Sequence, residues 1–174
     1  MAKDGHGLEE ALESLLGVPV DVEESPPRRY ALREVPHLAG PPEESAVAVY
    51  VRSSGVLCSS ILLILPPSSA RRIGDLMLGA GAPSEDVLDA CRELGNIVAS
   101  RYLSQVADQK GGQAVPTPPF STVDMAGAVI ASALQSAGLD PEIHAIELRL
   151  QAEGTVMRGT LLILQDQTSE ASAY

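Results

Sequence analysis

Asp89, Glu93 and Asn96 stand at i, i+4 and i+7 within SEDVLDACRELGNIVASRYLSQVADQ, the stretch from Ser84 to Gln109. At 100° per residue the three fall within about 60° of one another on a helix. Ser100, eleven residues after Asp89, extends the same line. A carboxylate accepts hydrogen bonds and pairs with cations, whereas a carboxamide donates and accepts at once. The line therefore suits gripping and orienting a polar partner. Solvated helix surface carries the same residue types, and the triplet alone does not separate the two.

The opposite face of that helix explains how the line is held. Val87, Cys91, Leu94, Val98 and Tyr102 form one apolar stripe, with Leu88 and Val106 at its edge, which anchors the helix in a core. Ser84 is expected to cap it, and Glu85 and Asp86 occupy the first turn, where acidic groups complement the helix dipole. Gly95, in the helix interior, costs roughly 1 kcal/mol relative to Ala. Packing against another long helix or close approach by a partner would each explain it.

Composition excludes several function classes. The chain has 174 residues, 45% of them hydrophobic, which is enough for a sizeable core. Aromatics are only 3% and the net charge is −11, which argues against nucleic acid or an anionic membrane as partner. No apolar run is long enough to span a bilayer, and MAKDGHGLEE resembles no signal peptide. Cys58 and Cys91 read as buried free thiols of a cytoplasmic protein. The three histidines, His6, His37 and His144, lack ligand spacing, so no metal site is expected from this chain. No Gly-rich phosphate loop, nucleophile elbow or Ser/His/Asp arrangement is visible, so a self-contained hydrolase is not expected.

In chain order, residues 1–7 read as a disordered start and Leu8–Leu16 as a short helix stopped by Gly17. Val18–Val22 suits an edge strand, because of Pro19. Proline-rich chain to Pro42 leaves only Tyr30–Leu32 as a brief extended piece. Ala46–Arg52 and Val56–Leu65 form a hairpin about Gly55. Ser68 or Ser69 caps a helix to Leu78. After the central helix, Lys110–Phe120 is a breaker-rich connection. Ser121 or Thr122 caps a helix with Met125, Val129, Ala133 and Leu134 inward, ending at Gly138. Ile143–Leu150 and Thr155–Leu164 form a second hairpin about Gly154, and residues 167–174 a loose tail.

The hairpins repeat. Gly55–Leu65 and Gly154–Leu164 align without a gap at an offset of 99 residues, and the same offset pairs Val47 with Ile146, Val49 with Leu148 and Val51 with Leu150. The expected fold is α/β of the α+β type. A pseudo-twofold repeat with halves at about 8–80 and 84–166 builds one domain, 8–166. Two β-hairpins give an antiparallel-rich sheet, with two long helices packed on one face and the other face wetter.

These residues resemble the CheC/CheX/FliY family of chemotaxis phosphatases. The family signature is Asp or Ser, three residues, Glu, two residues, Asn, then twenty-two residues and Pro; it is met by Asp89, Glu93, Asn96 and Pro119. ELGNIVASRYLSQVA and PTPPFSTVDMAGAVI are similar to the second half of CheC. LGVPVDV, EESAVAVYVRSSG and ILLILPPSSARRIGDLMLG are similar to its first half.

The resemblance implies removal of phosphate from the aspartyl phosphate of the response regulator CheY. Asn96 would position the attacking water and Glu93 would dock on the regulator's active-site lysine. Asp89 and Pro119 would support them, Pro119 by shaping the loop beside the helix. The chain itself would bind no cofactor, and Mg²⁺ would sit on the regulator. CheC proteins commonly carry Glu-x-x-Asn twice. Here the first copy would fall at or before Ala2, and Glu9, Glu10 and Glu13 do not reproduce it, so a single-site member is expected. The alternative is a non-catalytic regulatory or binding module, partnered by CheD or placed in the flagellar switch.

Overall fold

Both hairpins form, and they meet at the centre of one sheet. The computed structural model describes residues 5–138 and 140–166. Its elements are α1 (Gly5–Leu16), β1 (Asp21–Glu24), β2 (Arg28–Arg29), a 3₁₀ turn (Leu32–His37), β3 (Ser45–Gly55), β4 (Ser59–Leu65) and α2 (Pro67–Leu78). There follow α3 (Ser84–Lys110), β5 (Ala114–Pro116), β6 (Phe120–Met125), α4 (Ala126–Ser136), β7 (Glu142–Ala152) and β8 (Thr155–Gln165). The strands run in the order β1-β7-β8-β4-β3-β5, with β2 also on β7 and β6 also on β3. Every pairing is antiparallel, as in β4 on β8, where Leu62 faces Leu162.

Each face of the sheet has its own core. Val47, Val49 and Val51 of β3, Ile61, Leu63 and Leu65 of β4 and Ile146, Leu148 and Leu150 of β7 pack beneath α1, α2 and α3. The face expected to be wetter instead carries α4 and the 3₁₀ turn, packed on Ala46, Ala48, Leu62, Ile64, Leu162 and Leu164. The α+β class and the antiparallel sheet hold. One helix of 27 residues and two of 12 share the first face.

The ungapped repeat does not survive along the second strands. Residues of β3 and β7 that are 99 apart do face the same helices. Leu62 and Leu161, however, lie in opposite cores. Val47 pairs with Leu65 and Ile146 with Leu161, so Leu65 is the structural counterpart of Leu161. The physical cause is the turn: residues 54–58 separate the last β3–β4 pair, Ser53 with Ser59, whereas only Glu153 and Gly154 separate the last β7–β8 pair, Ala152 with Thr155.

Several local expectations shift. Pro83, not Ser84, is the N-cap of α3, with no side-chain cap bond, and Pro66 is likewise the N-cap of α2. The Ser69 hydroxyl instead accepts the Arg158 amide at 2.9 Å, tying α2 to β8. Ser121 and Thr122 lie in β6, opposite Val49 and Ala48, so α4 starts only at Ala126 and Met125 is exposed. Leu134 is only partly buried. The proline-rich stretch yields β2 and a 3₁₀ turn around buried Val35, and the breaker-rich connection yields β5. Cys58 is half-buried and Cys91 fully buried, both as free thiols. Helix α1 begins at Gly5, while the first four residues and the tail from 167 lie outside the described residues. Among the described residues no helix is long and apolar enough to cross a membrane.

Candidate functional site

Helix α3 crosses the sheet with Val87, Ala90, Cys91, Leu94, Gly95, Val98, Ala99 and Leu103 buried. This is broader than the stripe the sequence suggests, because the alanines and Gly95 also face inward; Tyr102 is only half-buried. Burial pushes the Cys91 thiol up to about 12 and raises the Tyr102 hydroxyl, so neither is primed to ionise. At the C-terminus Gly111, with φ of 70°, takes the left-handed conformation that ends the helix, its N–H donating to Ala107 at 2.9 Å.

The outward line runs as the spacing predicts. Asp89 and Glu93 are exposed, and Asn96 and Ser100 are half-buried. The side chains of Glu93 and Asn96 have no hydrogen-bond or ion-pair partner among the described residues. Three residues along a helix rise about 4.5 Å, so an unengaged carboxylate and carboxamide sit one turn apart on a ridge. Asp89 is engaged: its Oδ1 lies 3.0 Å from Arg92 Nη2.

Pro119 belongs to a different segment. It lies half-buried between β5 and β6, both of which pack beside α3. The segment is clasped to β3 by Thr117, whose N–H donates to the Arg52 carbonyl at 2.8 Å and whose Oγ1 accepts the Arg52 N–H at 3.1 Å. Thr117 and Arg92 were not singled out in the sequence. Only the Asp89–Arg92 spacing carried a signal.

No second site of this kind is present among the described residues. Glu9 and Glu13 of α1 instead accept the backbone N–H groups of Val22 and Val20, at 3.3 and 3.2 Å. Nor does any group of three or more His, Cys, Asp or Glu side chains among the described residues suit a metal ion. Hollows of about 520, 410 and 370 Å³ lie elsewhere, and none is lined by Asp89, Glu93, Asn96 or Pro119. An exposed carboxylate and a half-buried carboxamide on the outward face of a helix can grip and orient a polar partner.

The chain is 31% identical over 180 residues to a Bacillus subtilis (strain 168) protein, the CheY-P phosphatase CheC, spanning 98% of this chain and 79% of that one. The chain belongs to the CheC/CheX/FliY family. Solved members share its architecture. Thermotoga maritima FliY matches with a TM-score of 0.74 at 16% identity, over 97% of this chain and 86% of that one. CheX from Borrelia burgdorferi, crystallised as a CheX–CheY–BeF₃–Mg²⁺ complex, matches with a TM-score of 0.55 at 16% identity, over 92% of this chain and 96% of that one. At such identities these structures speak for the fold of the family alone. No protein-family model matches the chain.

Proposed function

We propose that the protein hydrolyses the aspartyl phosphate of a CheY-like response regulator by inserting the Glu93–Asn96 ridge of α3 into the regulator's active site. The observation that carries this reading is the pair of unengaged side chains, one turn apart, on a helix whose other face is locked in the core. The likeness to a CheY-P phosphatase supports the substrate class.

An acyl phosphate is already activated, so the chemistry needs a water placed in line with the phosphorus–oxygen bond more than it needs a nucleophile. The Asn96 carboxamide accepts from and donates to that water without bringing negative charge to the phosphate. The water oxygen bonds to phosphorus as the aspartyl oxygen departs with its electron pair. Both water protons remain on the dihydrogen phosphate formed. Glu93 pairs with a lysine of the regulator and sets the depth of insertion. Mg²⁺ is held by the regulator.

The test follows acyl-phosphate loss from phosphorylated CheY in the presence of the unaltered protein, Asn96→Ala and Glu93→Ala. Acceleration by the unaltered protein, lost in Asn96→Ala and weakened in Glu93→Ala through binding, is the expected result. Equal decay with all three would overturn the reading and leave a binding role.

A further inference from the structure

Arg92 is the sole cation between Ser84 and Ser100, a span that holds the acids Glu85, Asp86, Asp89 and Glu93. It precedes Asn96 by four residues, which places the two side chains on one face with about 5–6 Å between their Cβ atoms. Its guanidinium is held 3.0 Å from Asp89 Oδ1, with side-chain exposures of 37% and 62%. A pair so exposed is weakly held and readily exchanged for a better anion.

We infer that Arg92 is a further catalytic residue. In the complex its guanidinium leaves Asp89 and donates to the equatorial oxygens of the phosphoryl group under attack. Asp89 is its latch in the free protein. This rests on the reading of Glu93 and Asn96 given above.

The argument is one of charge. As water adds and the aspartyl oxygen leaves, negative charge spreads over three equatorial oxygens. Asn96 supplies no charge, Glu93 supplies the wrong sign, and the chain as a whole carries −11. Along the ridge only Arg92 offers a cation, and its planar fork matches two phosphoryl oxygens at once. Arg101 is the next cation along the helix, five residues past Asn96 and thus about 140° around it; its guanidinium lies against Gly7 of α1. Arg92 exchanges no proton in the step. It also gives Asp89 a definite task, which the motif spacing alone does not.

The experiment compares the unaltered protein, Arg92→Gln and Arg92→Lys on CheY phosphorylated in Mg²⁺, separating turnover at saturation from KM. Binding to CheY carrying BeF₃ and Mg²⁺ is measured alongside. Arg92→Gln is expected to lower turnover at least about tenfold, because charge-assisted hydrogen bonds to phosphoryl oxygens are lost, with KM and BeF₃-complex affinity changing less than about threefold. Arg92→Lys, which keeps the charge without the fork, is expected to fall between them. Unaltered turnover in Arg92→Gln overturns the inference while leaving Asn96 and Glu93 in place. A defect confined to KM and affinity also overturns it, since Arg92 would then be a docking charge. If the unaltered protein is inert towards phosphorylated CheY, the functional reading falls and this inference falls with it.

Discussion

Gly95 of α3 rests directly on Val49 of β3. A Cβ at Gly95 would lie 2.6 Å from Val49 Cγ1 and 2.7 Å from Val49 Cβ. The contact is with the sheet, not with another long helix, and it fixes how high Glu93 and Asn96 ride. Gly95→Ala therefore forces the helix off its seat. Overpacking costs about 1–3 kcal/mol, and the better helix propensity of Ala returns about 1 kcal/mol. The net is destabilisation on the order of 1 kcal/mol, read from denaturant midpoints, together with lower turnover as the ridge lifts. Adding Val49→Ala removes the Cγ contacts but leaves the one at Cβ, so the double variant should recover only part of both losses. Wild-type stability in Gly95→Ala would show that the seat is looser than this geometry.

The Thr117–Arg52 clasp makes a second, separable prediction. Thr117→Val deletes the hydroxyl that accepts the Arg52 N–H but leaves the backbone bond from Thr117 to the Arg52 carbonyl. The site is exposed, so water replaces the lost acceptor and the global cost stays near 0.5–1 kcal/mol. Locally the Arg52 amide should exchange hydrogen faster, by about twofold to fivefold for a loss of that size. If Pro119 shapes the rim beside α3, turnover falls with it while the fold stays intact. An Arg52 amide that exchanges at the wild-type rate would remove the clasp from the account.

The helical period made α3 legible, because Val87, Cys91, Leu94 and Val98 repeat on one face and Asp89, Glu93 and Asn96 on the other. Period two made β3 and β7 legible for the same reason. It could not place β4. All seven residues from Ser59 to Leu65 are buried, so an apolar run pressed between two cores carries no mark of which side faces which. Matching LLIL runs therefore aligned by letter and slipped in space. The helix starts failed differently. Ser69 and Ser121 are good caps by type, but the first is taken by the Arg158 amide and the second by a place in β6 opposite Val49. Those competing contacts come from chain far away in sequence. Of the site, the ridge was readable and its seat was not, since nothing near Gly95 in sequence points to Val49.

The two thiols should report the burial of α3 without reference to function. Cys91 is fully buried beneath the ridge, with its Sγ 3.7 Å from the Ala70 carbonyl, and Cys58 is half-buried at the head of β4. At pH 8 an alkylating reagent should modify Cys58 readily and Cys91 only after unfolding, because the thiolate is the reactive form and burial suppresses it. The same shift has a sign in stability. The folded thiol keeps its proton up to about 12, whereas the unfolded one releases it above its ordinary value of 9.0. Between these values the native state binds more protons, so stability falls as pH rises, with a limiting slope of about 1.4 kcal/mol per pH unit from this group. Below pH 9 the contribution is fully present. Cys91→Ala should flatten that alkaline slope relative to the unaltered protein, at the expense of a lower stability at pH 7 from the cavity it leaves. An unchanged slope, or rapid modification of Cys91 in the native state, would mean that the underside of α3 opens to water.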